Sequence, residues 1–130
     1  MAKKIKVIGV VPNKEAVVIE DFTESLENLQ KYVGGLIEAI YPFEDDEAVL
    51  ICNEEGKYNG SEPNRCLLNE NNGISDIIYG SFLIAWTPAD SEYFCSIPDD
   101  KIAKYLDMFK YPDIFIKKAN GGYNVITRLG

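Results

Sequence analysis

Between Cys52 and Cys66 the chain places Asn53, Lys57, Tyr58, Asn64 and Arg65 within fifteen residues, "CNEEGKYNGSEPNRC", interleaved with Gly56 and Gly60. Arginine offers a planar fork that fits phosphate or carboxylate, lysine a mobile point charge, and asparagine a paired donor and acceptor that reads the edge of a base or sugar. Tyr58 adds a ring on which a base can stack, and glycine lets backbone amides approach a ligand closely. The set suits a small anionic, nucleotide-like ligand. A plainer reading uses the same residues: Asn53-Glu54-Glu55-Gly56-Lys57 forms a hairpin turn, and Arg65 pairs with one of the many acids nearby.

Other chemistry is narrowed by what the chain lacks. It has no histidine, which rules out a Ser-His-Asp triad, a Cys-His pair and a His-ligated metal. Its three cysteines, Cys52, Cys66 and Cys95, form no CxxC pair, so neither a disulfide framework nor a four-ligand zinc site is expected. They read as free thiols, Cys52 and Cys95 as small buried hydrophobes. Asn69-Glu70-Asn71-Asn72-Gly73 has the wrong spacing for a calcium loop. No catalytic residue, metal or cofactor is therefore assigned, although a carboxylate-only hydrolase using Glu54, Glu55 and Asp76 with a metal stays open as an alternative.

The net charge of −8 is unevenly spread. Residues 19 to 62 hold twelve acids against Lys31 and Lys57, while residues 111 to 130 carry a net +2. So acidic a chain is not expected to bind a nucleic-acid backbone directly. The acidic stretch, with Glu44-Asp45-Asp46-Glu47 at its centre, reads as a solvated loop; it also keeps open an acidic DNA mimic or direct inhibitor of a host enzyme.

The elements that must carry these residues follow from hydrophobic period. Lys4 to Val11 and Glu15 to Glu20 are β-branched runs around Pro-Asn-Lys and predict an opening hairpin. Asp21 and Glu24 predict a capping box, followed by a helix of about three turns with Phe22, Leu26, Leu29 and Val33 on one face and a stop at Gly34-Gly35. Leu26 and Leu29 are expected to face the core. Leu36 to Tyr41 and Ala48 to Cys52 predict a second hairpin around the four acids. A polar loop follows, then one long strand region from Ile74 to Trp86. Ser96-Ile97-Pro98-Asp99-Asp100 starts a second helix that ends before Tyr111-Pro112, and Asp113-Ile-Phe-Ile with Tyr123-Asn-Val-Ile forms a last hairpin around Asn120-Gly121-Gly122.

The sum is an α+β fold: a mainly antiparallel sheet of six to seven strands with two helices on one face or one end. A length of 130 residues predicts a single domain, 1–130. No apolar run reaches the length of a membrane span and no signal peptide follows Met-Ala-Lys-Lys, so a cytoplasmic protein with no membrane partner is expected. Exposed sheet edges predict a homo-oligomer.

The segment from about Ser25 to Tyr111 resembles a domain family of unknown function found in phages, prophages and mobile elements of bacteria. The resemblance rests on a helix ending Val33-Gly34-Gly35, then Asn53-Glu54-Glu55-Gly56-Lys57, then Asn64-Arg65. Gly60-Ser61-Glu62-Pro63 departs from the more apolar, proline-rich form of the pattern, and the hairpin 113–130 lies outside it. What the resemblance implies is a setting, the host bacterial cell, in which small phage proteins act against host defences. Together these readings predict a counter-defence binding protein that sequesters a nucleotide-like ligand, a cyclic nucleotide signal being one such, between loop 52–66 and a neighbouring subunit.

Overall fold

The computed structural model describes residues 3–44 and 46–129. Asp45 of the acidic tip and the first two residues of the basic start lie outside the described residues. Nine strands and two helices are described, in the order β1 (Lys4–Val10), β2 (Val17–Thr23), α1 (Leu26–Val33), β3 (Ile37–Ile40), β4 (Ala48–Asn53), β5 (Pro63–Leu68), β6 (Ile74–Tyr79), β7 (Phe82–Trp86), α2 (Asp99–Phe109), β8 (Ile114–Lys117) and β9 (Tyr123–Ile126). All strand pairs are antiparallel.

The architecture is α+β with two helices, as the patterning predicts, but the main sheet has five strands, in the order β2-β1-β7-β4-β3, rather than six to seven. The remaining four strands form two separate ribbons, β5-β6 and β8-β9. The expected single strand from Ile74 to Trp86 is two strands. Gly80 turns the chain with φ of 80°, a conformation that favours glycine, so β6 pairs with β5 while β7 enters the centre of the main sheet, where every residue from Phe82 to Trp86 is buried.

Strand alternation sends side chains to both faces of that sheet. Ile8, Val10, Leu50, Phe82 and Ile84 pack on one side with Tyr105 and Phe109 of α2. Ile5, Val7, Val49, Ile51 and Leu83 pack on the other with Leu29 of α1. The helices thus cover opposite faces, not one face or end. A central strand buried on both sides must be apolar throughout, which is why β4 and β7 read as continuous hydrophobic runs.

Helix α1 is shorter than its apolar spacing suggests. Phe22 pairs with Ile5 and Thr23 with Lys4, so ladder pairing holds these residues in β2. Ser25, not Asp21, caps the helix by accepting from the Asn28 amide at 3.1 Å. With the helix starting later, Leu29 is buried at 3% exposure and Leu26 stands out at 59%, correcting the expectation that both face the core. Leu29→Ala is expected to lower the unfolding free energy by about 2–5 kcal/mol, and Leu26→Ala to change it by about 0.5 kcal/mol or less. Urea unfolding of the two variants checks this; equal effects would mean the helical face is assigned wrongly.

Candidate functional site

Proline opens β5, and the strand places Asn64, Arg65 and Cys66 in the interior, not in a loop. Arg65 is fully buried. Its Nε donates to the Phe109 carbonyl at 3.0 Å, Nη1 to Asn64 Oδ1 at 2.9 Å, and Nη2 to the Lys14 carbonyl at 2.6 Å. Burial pulls the guanidinium down to about 10, with Asp113 nearby working in the opposite direction, so it remains charged at neutral pH. Asn64 is equally committed: its Nδ2 donates to the carbonyls of Val10 at 3.0 Å and Gly80 at 2.8 Å.

Asn53 also serves the backbone. Its Nδ2 donates to the Val33 carbonyl at the end of α1, and its Oδ1 accepts from the Glu55 amide. These contacts join Val33-Gly34-Gly35 and Asn53-Glu54-Glu55 into one helix-stop and turn. Gly56 belongs to the same unit, because a Cβ there would lie 2.7 Å from the Tyr79 carbonyl. The residues that carry the family resemblance are thus largely structural. The polar atoms of Asn53, Asn64 and Arg65 bond within the fold; Asn64 and Arg65 are buried in the interior, while Asn53 also lines a cleft beside Lys57 and Tyr58.

Lys57 and Tyr58 alone of the five candidates stand at the surface. They border a cleft of about 230 Å³ with Glu38, Glu54 and Asp76. Lys57 Nζ is tied to Asp76 at 2.6 Å, and the cleft carries three carboxylates to one ammonium, an unfavourable field for an anion. Tyr58, at 89% exposure, packs against nothing substantial. In the same cleft burial pushes the Cys52 thiol up to about 11, with Glu38 and Asp76 adding to the effect; burial and Asp113 do the same to Cys66. Neither thiol is a nucleophile near neutral pH. Among the described residues no group of three or more carboxylates or thiols is placed to hold a metal ion.

A larger cleft, about 380 Å³, opens between the β5-β6 ribbon and the end of α2. Its walls include Phe43, Leu67, Met108, Tyr111 and Leu129, and Asn69 and Asn72 line it as well. Arg128 lines it too, with a side chain only 6% exposed. Its Nε donates to the Met108 carbonyl at 2.6 Å, and its Nη1 to the Cys66 carbonyl at 3.0 Å and to Asp113 at 2.7 Å. Among the described residues Nη2 has no hydrogen bond, and Arg128 is the one cation on the lining of this cleft. Asp113, ion-paired to Arg128, and Asp107, on the same lining, are the opposing charges.

Sequence reasoning missed Arg128, Asp113 and Tyr111. One signal was available: only two of the thirteen basic residues are arginine, and arginine is the cation suited to buried, forked hydrogen bonding. The acidic tip also differs from a purely solvated loop. Asp46, 8% exposed, receives Lys101 at 3.1 Å, Lys104 at 2.8 Å and the Tyr105 hydroxyl. The bonds from Lys104 and Tyr105 hold its carboxyl far below the usual range.

Two consequences can be measured. Because the folded state depresses the Asp46 carboxyl, its stabilisation is present above the unfolded range near about pH 4 and is lost as pH falls below it. Asp46→Asn is expected to be less stable than wild type at about pH 7 and to lose less on acidification to about pH 3, read from urea midpoints; parallel pH profiles would remove Asp46 from this role. Arg65→Lys cannot reproduce the fork and leaves buried carbonyls unpaired at about 1–3 kcal/mol each, whereas Lys57→Ala removes a surface pair contributing about 1 kcal/mol or less. Equal unfolding midpoints for the two variants would contradict the buried role of Arg65.

Comparison with known proteins adds one finding. A family model described as "Domain of unknown function (DUF3846)" matches residues 5–110. No curated protein and no solved structure gives a significant match. The matched span runs from β1 to α2 but stops short of Tyr111 and Arg128, which line the larger cleft, and of Asp113, which pairs with Arg128. Among the described residues no helix is long and apolar enough to cross a membrane.

Proposed function

The chain belongs to the DUF3846 family, whose function is unknown, and from that premise we propose that it is a binding protein, not an enzyme, that captures a small anionic ligand with a flat apolar body in the cleft between α2 and the β5-β6 ribbon. The observation that carries this reading is Arg128. Three of its hydrogen bonds run to protein groups that fix the guanidinium plane, and its side chain lines a cleft of about 380 Å³ with apolar walls. Apolar walls with a few convergent polar groups are the usual build of a small-molecule site. A cation held before the ligand arrives needs little further ordering to bind it.

The roles divide by chemistry. Arg128 meets the phosphate or carboxylate, the exposed ring of Tyr111 and the thioether of Met108 cover the flat body, and the side-chain amide of Asn72 offers a donor and an acceptor. A nucleotide combines these features. This reading moves the ligand away from Lys57 and Tyr58, whose cleft is acidic, and gives Asn64 and Arg65 the task of holding the β5-β6 wall in place, with Asn53 joining the end of α1 to the turn after β4. In the phage and mobile-element setting implied by the resemblance, such a protein removes a host signalling nucleotide from circulation, a cyclic nucleotide first among them, inside the bacterial cytoplasm.

Calorimetric titration of cyclic and linear nucleotides into wild type, Tyr111→Ala and Lys57→Ala tests the proposal. Tyr111 is exposed, so its truncation leaves the fold intact. At least one nucleotide is expected to bind wild type, with affinity reduced about tenfold or more, equivalent to about 1.4 kcal/mol, in Tyr111→Ala and unchanged in Lys57→Ala. No heat from any nucleotide overturns the reading; a loss confined to Lys57→Ala places the ligand in the acidic cleft instead.

A further inference from the structure

Among the described residues the β8-β9 ribbon is paired with no other strand, and a two-stranded ribbon alone is only marginally stable in water. Its register sets Ile114 opposite Ile126 and Ile116 opposite Asn124, which puts three isoleucines on one face. They are exposed by 54%, 51% and 50% for Ile114, Ile116 and Ile126. The opposite face, with Phe115 and Val125, is partly buried. Lys117 and Lys118 are exposed at the end of the ribbon, and among the described residues neither forms an ion pair. The ribbon is therefore an apolar face with a basic end on a chain of net charge −8.

A complementary surface lies on the far side of the main sheet. Beside α1 a groove of about 390 Å³ is lined by Leu26, Tyr41 and Tyr93, exposed by 59%, 61% and 61%, together with Glu24 and Glu92. Leu29 and Phe94 at its floor belong to the core on the α1 side. The ribbon is anchored through Asp113 and Arg128 to Cys66, next to Leu67 and Ile78 of the core on the α2 side. The five-stranded sheet separates the two surfaces, so one copy cannot close its own ribbon over its own groove.

We propose that the β8-β9 ribbon of one copy docks into the groove beside α1 of a second copy, its isoleucines against Leu26, Tyr41 and Tyr93 and its lysines toward Glu24 and Glu92. Charge complementarity selects this occupant: residues 114–126 hold no acid to receive the lysines of a second ribbon, whereas the groove supplies apolar contact with carboxylates beside it. The contact is heterologous, so each copy offers one ribbon and one groove, and assembly continues into a ring or a filament. This inference does not depend on the ligand proposal, since neither surface includes Arg128 or Tyr111.

Sedimentation velocity of the full chain from about 1 µM to about 1 mM, the range in which small interfaces associate, tests it with two surface variants. Wild type is expected to associate with rising concentration, and less so in high salt. Ile116→Lys on the ribbon and Tyr93→Lys in the groove should each be monomeric, and because each retains the surface the other has lost, an equimolar mixture should form a one-to-one pair and nothing larger. A monomeric wild type, association that survives either substitution, or a mixture that stays monomeric overturns the proposal. Survival in Tyr93→Lys with loss in Ile116→Lys would indicate ribbon-on-ribbon pairing instead.

Discussion

The last carbonyls of α2, those of Met108, Phe109 and Lys110, have no helical amide left to bond. They receive Arg128 Nε, Arg65 Nε and the Ala16 amide respectively. The helix has no basic residue in its own last turn, so the two arginines also supply the positive charge that the negative end of the helix dipole favours. Each comes from a different part of the chain, Arg65 from β5 and Arg128 from just beyond β9. The buried carboxylate of Asp113 accepts from the Cys66 amide and from Arg128. Buried ionic groups persist only when their hydrogen bonds are satisfied, and here that condition ties α2, the β1-β2 turn, the β5-β6 ribbon and the C-terminal hairpin to one point.

This tie explains why much of the conspicuous polar stretch is turned inward. A sheet that is apolar on both faces offers its neighbours no hydrogen bonds beyond its edges and turns, so segments packed over it need polar side chains that bond to the backbone. Asn53 does this at the end of α1, Asn64 between β1 and the turn at Gly80, and Arg65 at the end of α2. The chemistry that makes these residues good ligand binders, several donors in a fixed array, makes them equally good internal fasteners.

The same geometry builds the larger cleft as a by-product of joining these parts. The β5-β6 ribbon forms one wall, the end of α2 another, and Tyr111 and Arg128 enter from the chain that leaves the helix. Arg128 holds the fold through Nε and Nη1 and also lines the cleft. The family match ends at residue 110, so the scaffold of the cleft lies within the shared domain and its cationic corner beyond it.

Periodicity alone determined much of this protein: the α+β class, the three hairpins around Pro12-Asn13, the four-acid tip and Asn120-Gly121-Gly122, the stop of α1 at Gly34, and the end of α2 before Pro112. Those features are local, set by turn residues and the alternation of apolar and polar side chains. The division of Ile74 to Trp86 into two strands, the placement of the helices on opposite faces and the inward turn of Arg65 were decided by tertiary structure. A run apolar enough for a buried strand looks alike whether it stays in one sheet or changes sheets at Gly80. Likewise an arginine among polar neighbours reads as exposed until the helix end that it must satisfy, forty-four residues away in sequence, is brought beside it. Hydrogen-bond demand at a distant backbone carbonyl leaves no trace in the local pattern, and so only the folded chain assigns Arg65 to the interior and Arg128 to the cleft.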